Sequence, residues 1–280
     1  MFFLTKMTKL IPVEKAEDFL LAQQFILSHE TCSASLASLV RRKSDKIIFL
    51  KNEKEIIGLL SLDSTVYHCI PDLSLVDAKV LKNELPYLQK KPVRCVSGEA
   101  AATDFLLEIF GQPLIKYPYK MMKYPLPSQK KICLPELSGG EEIIRATEHD
   151  MEVLHSLQKD YMKDEVAVPG RSITDAEVSL TLRQILKNQL CFVLFCDGEA
   201  VAKANTNAIG INCIQIGGVY THPLYRRNGY AGAIVMTLCK RAWQAGKTPV
   251  LFVKEKNKPA FNLYQKLGFE ECGRYEIAYY

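Results

Sequence analysis

Apolar positions along this chain switch between two periods, and the order of the switches runs through twice. Residues 1–12 read as a strand, and 14–30 (EKAEDFLLAQQFILSHE) put Phe19, Leu20, Gln23 and Leu27 near one face of a helix. Thr31 is placed to cap a second helix that runs to Val40. Residues 47–50 form a strand, 52–54 a turn and 56–62 the returning arm of a hairpin. A short strand at 66–70, a helix at 77–89, a strand at 93–96, a helix at 99–110 closed by Gly111 and a strand at 117–126 follow.

The second half repeats that order. A strand at 142–146 leads to helices at 150–162 and 175–187. Strands at 191–196 and 200–205 make a hairpin around Asp197-Gly198. Ile214, Ile216, Val219 and Tyr220 form a strand that Pro223 stops. A helix follows, with Ile234, Leu238 and Ala242 at helical spacing beside Val235 and Trp243. Then come a strand at 250–253 (VLFV), a helix at 257–267 and an end strand at 274–280. The pattern predicts an internal repeat of structure rather than of sequence. The domains expected are 1–126 and 141–280, joined by a linker at 127–140 rich in proline, serine and glycine.

Composition agrees with two ordinary domains: the chain has 280 residues, 48% of them hydrophobic and 24% charged. A net charge of +5 with no Lys/Arg run gives no footprint for nucleic acid, though it would help recruit a polyanionic cofactor. The nine cysteines, Cys133 among them, include no C-x-x-C pair and fall mostly in apolar segments. That suits buried thiols in a reducing cytoplasm, not a disulfide framework or a zinc site. The start, MFFLTKMTKLIP, lacks the length and cleavage site of a signal peptide, and no apolar run has membrane-spanning length. The expectation is a soluble protein with no membrane partner.

The chemistry concentrates in 217–245, GGVYTHPLYRRNGYAGAIVMTLCKRAWQA. Strand, Gly/Arg loop and helix follow one another there. The first amides of a helix lack intrachain partners and carry partial positive charge. Gly229, Ala231 and Gly232 allow close approach to the backbone, and Arg226 and Arg227 add charge. Such a place holds a diphosphate without a metal. It is not a Walker loop, because no Gly-Lys-Ser/Thr follows, and it lacks the spaced glycines of a dinucleotide fingerprint.

The spacing Arg226-x-x-Gly229-x-Ala231 resembles the Q/R-x-x-G-x-G/A signature of the GNAT superfamily of acyl-CoA N-acyltransferases. Residues 257–269 (NKPAFNLYQKLGF) resemble that superfamily's closing N-x-x-A-x-x-L-Y-x-x-x-G-F segment, in the right order after one helix and one strand. The likeness covers 141–280 and is closest to the branch whose central strand reads G-V-Y-T-x-P. It implies an α/β fold: two tandem GNAT-like domains, each a mixed, mostly antiparallel twisted sheet flanked by helices. It also implies direct transfer of an acetyl group from acetyl-CoA to an amine, with no covalent enzyme intermediate and no metal.

By the same resemblance, Val219, Tyr220 and Thr221 lie along the pantetheine arm. The loop Arg226, Arg227, Asn228, Gly229, Tyr230, Ala231 and Gly232 holds the pyrophosphate, and Asn257 contacts the arm. Tyr264 matches the tyrosine that protonates the leaving thiolate; read on its own residues, a tyrosine in an apolar helix is more often a packing residue than an acid. Glu165, in KDEVAVPG, is the first choice for the base that takes the amine's proton, ahead of Asp164 and His222. The corresponding loop of the first half, PDLSLVDAK at 71–79, has no glycine and no arginine, and Asp72 and Asp77 would repel a diphosphate. The first half is therefore expected to be a degenerate copy that covers the second, shapes the acceptor groove or mediates dimerisation. Peptide lysine, amino acid, polyamine and antibiotic amine stay open as acceptors. The alternative from another class is a non-catalytic acyl-CoA sensor on the same fold.

Overall fold

The two repeats share one twelve-stranded sheet. The structure is a computed structural model and describes residues 8–53, 55–125, 137 and 139–280. The expected linker and Cys133 therefore fall almost wholly outside the described residues, as do residues 1–7 and Lys54 of the expected first strand and turn.

The first half runs β1 (Lys9–Pro12), α1 (Ala16–Leu27), α2 (Ala34–Arg41), β2 (Ile47–Lys51), β3 (Ile56–Ser61), β4 (Thr65–Cys69), α3 (Ala78–Leu88), β5 (Cys95–Glu99), α4 (Ala100–Phe110) and β6 (Ile115–Lys123). The second half runs β7 (Glu141–Arg145), α5 (Met151–Tyr161), α6 (Asp175–Asn188), β8 (Cys191–Cys196), β9 (Glu199–Ile209), β10 (Cys213–Thr221), α7 (Tyr230–Gln244), β11 (Thr248–Lys254), α8 (Lys258–Leu267) and β12 (Glu270–Tyr279). Within each half the strands pair antiparallel, except for the parallel pairs β4–β5 and β10–β11 that a crossover helix joins.

The sheet order is β1-β2-β3-β4-β5-β12-β6-β11-β10-β9-β8-β7. The halves thus exchange their last strands. β6 of the first half pairs with β11, and β12 of the second half pairs with β5. The two exchanged strands also pair with each other from Glu270↔Lys123 to Tyr279↔Ile115. A second tie joins the α1–α2 turn to the β9–β10 turn. Glu30 is buried, and its carboxylate accepts the backbone amides of Ile211, Asn212 and Cys213 at the β9–β10 turn. A buried carboxylate needs such donors to offset its lost hydration. Arg41 adds a bond from Nε to the Ile209 carbonyl.

Several expected boundaries move for physical reasons. Thr31 does not cap α2. It sits in a 3-10 turn at Glu30–Cys32, which aims Glu30 at the second half, and Ser33 precedes the helix. The strand expected at 93–96 begins at Cys95, the first residue in register with both β4 and β12. β12 starts at Glu270, earlier than expected, because β6 supplies a partner from there. Apolar faces close the layers. α7 buries Ile234, Val235, Leu238 and Cys239 against Leu194, Ala204 and Leu251 of the sheet, each large side chain contributing about 1.5–3 kcal/mol. Among the described residues no helix is long and apolar enough to cross a membrane, and no His/Cys/Asp/Glu cluster could hold a metal.

Candidate active site

β10 and β11 pair over Cys213–Ile216 and then part. From Gly217 onward β10 keeps a partner only on its β9 side. The strand is also bulged there: Gly217 faces Asn205 and Tyr220 faces Lys203, so β10 carries one residue more than β9. Gly218 has φ of 58°, and a Cβ on it would strike the Asn205 side chain. Only glycine fits that bulge. The unpaired edge includes Val219 and Thr221, the backbone groups expected to meet the pantetheine arm.

The strand ends at a short turn, Pro223–Tyr225, and then the Arg226-to-Gly229 loop. Arg227 and Gly229 both take left-handed φ, 71° and 81°. This aims the chain into α7 with Gly229 at the N-cap and no side chain capping the helix. The amides of Tyr230, Ala231 and Gly232 have no partner among the described residues. Nothing approaches the face where a Cβ on Gly229 would stand. Arg227 is exposed and has no carboxylate partner there. Arg226 donates from Nε to the Thr221 carbonyl at 3.1 Å and lies 3.7 Å from Asp164. Tyr230 turns its ring into the core, and its hydroxyl donates to Glu141 at 2.8 Å. Asn228 donates to the Tyr225 carbonyl at 3.4 Å and shapes the loop. Thr221 Oγ1 and His222 Nδ1 are buried without a hydrogen-bond partner beside this loop.

The far wall comes from the end of α5, which winds into a π turn at Met162–Val166. It carries Asp164 and Glu165. Asp164 accepts from the Tyr220 hydroxyl at 3.1 Å. Glu165 pairs with Lys254 at 3.3 Å and accepts from Asn257 Nδ2 at 3.5 Å. Asn257 is used at both ends, because its Oδ1 caps α8 through the Ala260 amide. Tyr264 is buried on α8 and packs edge-on against Phe269. Burial, then the nearby Tyr161 and Glu165, push its hydroxyl well above the ordinary phenol range, so it keeps its proton.

Some groups at the site were not anticipated from the sequence. Lys203 is fully buried behind the bulge, donating to the Gly218 carbonyl at 3.0 Å and to Asn205 at 3.2 Å. Its ammonium lies 5.0 Å from the Tyr161 ring centre. Burial lowers its pKa to about 8. Lys254, also nearly buried, anchors the π turn. The signal was there: each is a lysine inside a run of buried-strand residues, AVAKAN and VLFVK.

On the face covered by α5, α6 and α2 a groove of about 560 Å³ opens against Gly218. It is lined by both halves, from Gln158 and Tyr161 to Ser35, Arg42, Tyr67 and Ser97. The site thus has two mouths: the parted strands with the bare helix N-terminus, and this groove.

Residues 152–269 match the sequence model of the Acetyltransferase (GNAT) family. No curated protein matches the chain. Among solved structures, a Drosophila protein is similar over 97% of this chain and 98% of its own at 11% identity, with a TM-score of 0.66. A tandem GNAT protein from the clavulanic acid biosynthesis pathway is similar over 98% of both chains at 9% identity, with a TM-score of 0.62. A putative acetyltransferase from Novosphingobium aromaticivorans matches at 18% identity with a TM-score of 0.45, and this chain spans 65% of its length. At these identities the full-length likenesses are ones of fold, and they show two GNAT-like halves in a mixed, mostly antiparallel sheet. The stretch similar to the Acetyltransferase (GNAT) family runs from α5 through α8 and includes the parted strands, the loop and the bare helix end.

Proposed function

We propose that the second half transfers an acetyl group from acetyl-CoA directly to a primary amine. The observation that carries this is the uncapped N-terminus of α7 at the mouth of the parted β10–β11 pair. The diphosphate sits on the amides of Tyr230, Ala231 and Gly232, with Arg227 and Arg226 beside it. The pantetheine arm takes the place of the missing strand along Val219 and Thr221, and Thr221 Oγ1 is a polar group there still without a partner. Asn257 borders the arm from the start of α8.

The amine enters from the groove, and its nitrogen attacks the thioester carbonyl carbon while the C–S bond breaks. Tyr264, kept protonated by its burial, gives its proton to the departing thiolate. Glu165 takes the proton the amine gives up; the ion pair with Lys254 holds its carboxylate in place. The first half takes no coenzyme. At its α3 terminus the Asp77 carboxylate already accepts the amides of Lys79 and Val80.

Calorimetry with acetyl-CoA tests the binding, with one site per chain expected. Thiol release against a panel of amines tests the transfer. A chain that binds no acetyl-CoA, or binds two equally, overturns the assignment.

A further inference from the structure

The groove beside Gly218 is lined by uncharged amides, hydroxyls and apolar groups, and among its lining residues Arg42 is the one with a formal charge. No carboxylate lines it. Arg42 comes from the first half, at the C-terminal end of α2, where its Nε reaches only the Ser38 carbonyl at 3.4 Å. It forms no ion pair among the described residues. Lys203, behind Gly218, adds a second positive charge to the same wall. Gln158 lines the groove from the second half. It is 1% exposed, yet its Oε1 has no hydrogen-bond partner.

Resting on the transfer reading above, we propose that the acceptor is a small amine that carries a carboxylate. Arg42 binds the carboxylate at the end built by the first half, and Gln158 Oε1 accepts an N–H of the amine end. A planar guanidinium with no competing carboxylate is matched to a carboxylate in two parallel hydrogen bonds. A buried amide oxygen left bare is costly until a donor arrives, so it selects for one. Polyamines and aminoglycosides fit poorly. They would bring several positive charges into a groove that offers no counter-charge and one guanidinium. The volume, about 560 Å³, suits a molecule of amino-acid to dipeptide size with an apolar body against Met162 and Phe252. In this arrangement the first half supplies the specificity of a reaction performed on the second.

The experiment uses the full chain saturated with coenzyme A. Binding of L-amino acids, their α-carboxamides and spermidine is measured by saturation-transfer NMR and calorimetry. The same probes then serve as acceptors in the thiol-release assay. An amino acid is expected to bind about tenfold to a hundredfold tighter than its carboxamide. Arg42→Ala should erase that preference and leave carboxamide and coenzyme affinities unchanged, while Arg42→Lys keeps part of it. Preference for spermidine, or equal weakening of acid and amide by Arg42→Ala, overturns the proposal. The two readings fail separately. Arg42-dependent amino-acid binding in a chain that takes no acetyl-CoA sinks the transfer reading and keeps the groove assignment. Efficient acetylation of spermidine does the reverse.

Discussion

The N-termini of α3 and α7 stand at the same place in the two halves, and they are finished in opposite ways. Each follows a strand that pairs in parallel for a few residues and then parts from its neighbour, β4 from β5 after Tyr67↔Ser97 and β10 from β11 after Ile216↔Leu251. At α3 the free amides are met by a carboxylate of the chain's own, Asp77, whose backbone N–H is in turn fixed by Thr8 Oγ1. At α7 a left-handed glycine stands in the capping position and the amides stay bare. The strands differ in the same sense. Past the parting point of β4, the His68 ring packs against the backbone of Gly98 and bonds Thr103 on α4 at 2.8 Å. Past that of β10 come two glycines and an open edge. At this terminus one half caps its own amides and the other leaves them bare. A side-chain cap satisfies such amides from within the chain, whereas an uncapped terminus leaves them open to an anion, and the two halves differ in which they have.

Making the second terminus like the first is the harshest test of that contrast. Gly229→Asp puts a carboxylate where Asp77 stands in the other half. The side chain meets no neighbour, since nothing surrounds a Cβ there; the left-handed backbone makes it cost about 1–2 kcal/mol. The charge then occupies the amides and repels a diphosphate at close range. Acetyl-CoA affinity should fall by about a hundredfold or more, while Gly229→Asn, which tolerates the backbone and brings no charge, should lose far less. Calorimetry on both variants decides it; equal affinities for the two would show that the loop does not hold the diphosphate.

The buried bases give the next test. Lys203 is the cation the second half keeps behind its open edge, and its pKa falls from 10.5 to about 8 on folding. Because the folded value is the lower one, the contribution to stability is complete above pH 10.5 and is lost as pH falls to 8. The size is roughly 3 kcal/mol at about 1.4 kcal/mol per unit. Lys203→Met removes this dependence. Urea unfolding of wild type and variant should show their stability difference shifting by that order between pH 8 and 10, in favour of wild type at the alkaline end. Parallel curves across that range would mean that Lys203 is charged in the folded chain to the same extent as in water.

Much of this contrast was legible in the sequence, because helix termini are written in local residue types. PDLSLVDAK and YRRNGYAG differ in the two features that matter, an Asp at a cap and a Gly in its place. What was not legible is set by distant partners. The YPYKMM stretch of β6 suits any antiparallel neighbour, and nothing in it announces pairing with β11 and β12. Arg42 reads as an ordinary basic residue at a helix C-terminus; only the fold brings it to the groove. Lys203 stands in a run of buried-strand residues, but only the fold puts Tyr161 of α5 over its ammonium. Asn257 was expected to contact the coenzyme, yet its first use is to cap α8, a role its position before Lys258-Pro259 also signals.

Tyr264 sharpens the comparison on the catalytic side, since it borders only the open copy. Tyr264→Phe keeps the ring against Phe269 and removes the hydroxyl. If the hydroxyl acts on the charge that develops on the thiolate, turnover should fall by about tenfold to a hundredfold with the coenzyme dissociation constant little changed. Single-turnover rates with a saturating acceptor read this directly, and a wild-type rate would leave Tyr264 a packing residue.

The gentlest test turns the comparison round by opening the closed terminus. Asp77→Ala frees the amides of Lys79 and Val80 without touching the second half. Loss of an N-cap carboxylate costs about 1 kcal/mol, and the measurement is a modest drop in the urea midpoint with an unchanged slope. Freed amides alone should not create a second coenzyme site. The loop still has no glycine to bring the diphosphate close, Asp72 still faces it at the 3-10 turn Leu73–Leu75, and His68 still fills the space against β5. Calorimetry of Asp77→Ala should therefore give the same one site per chain as the wild type. A second, weaker site in that variant would mean that a single carboxylate is what separates the halves, and that strand and loop in the first half are still built for the cofactor.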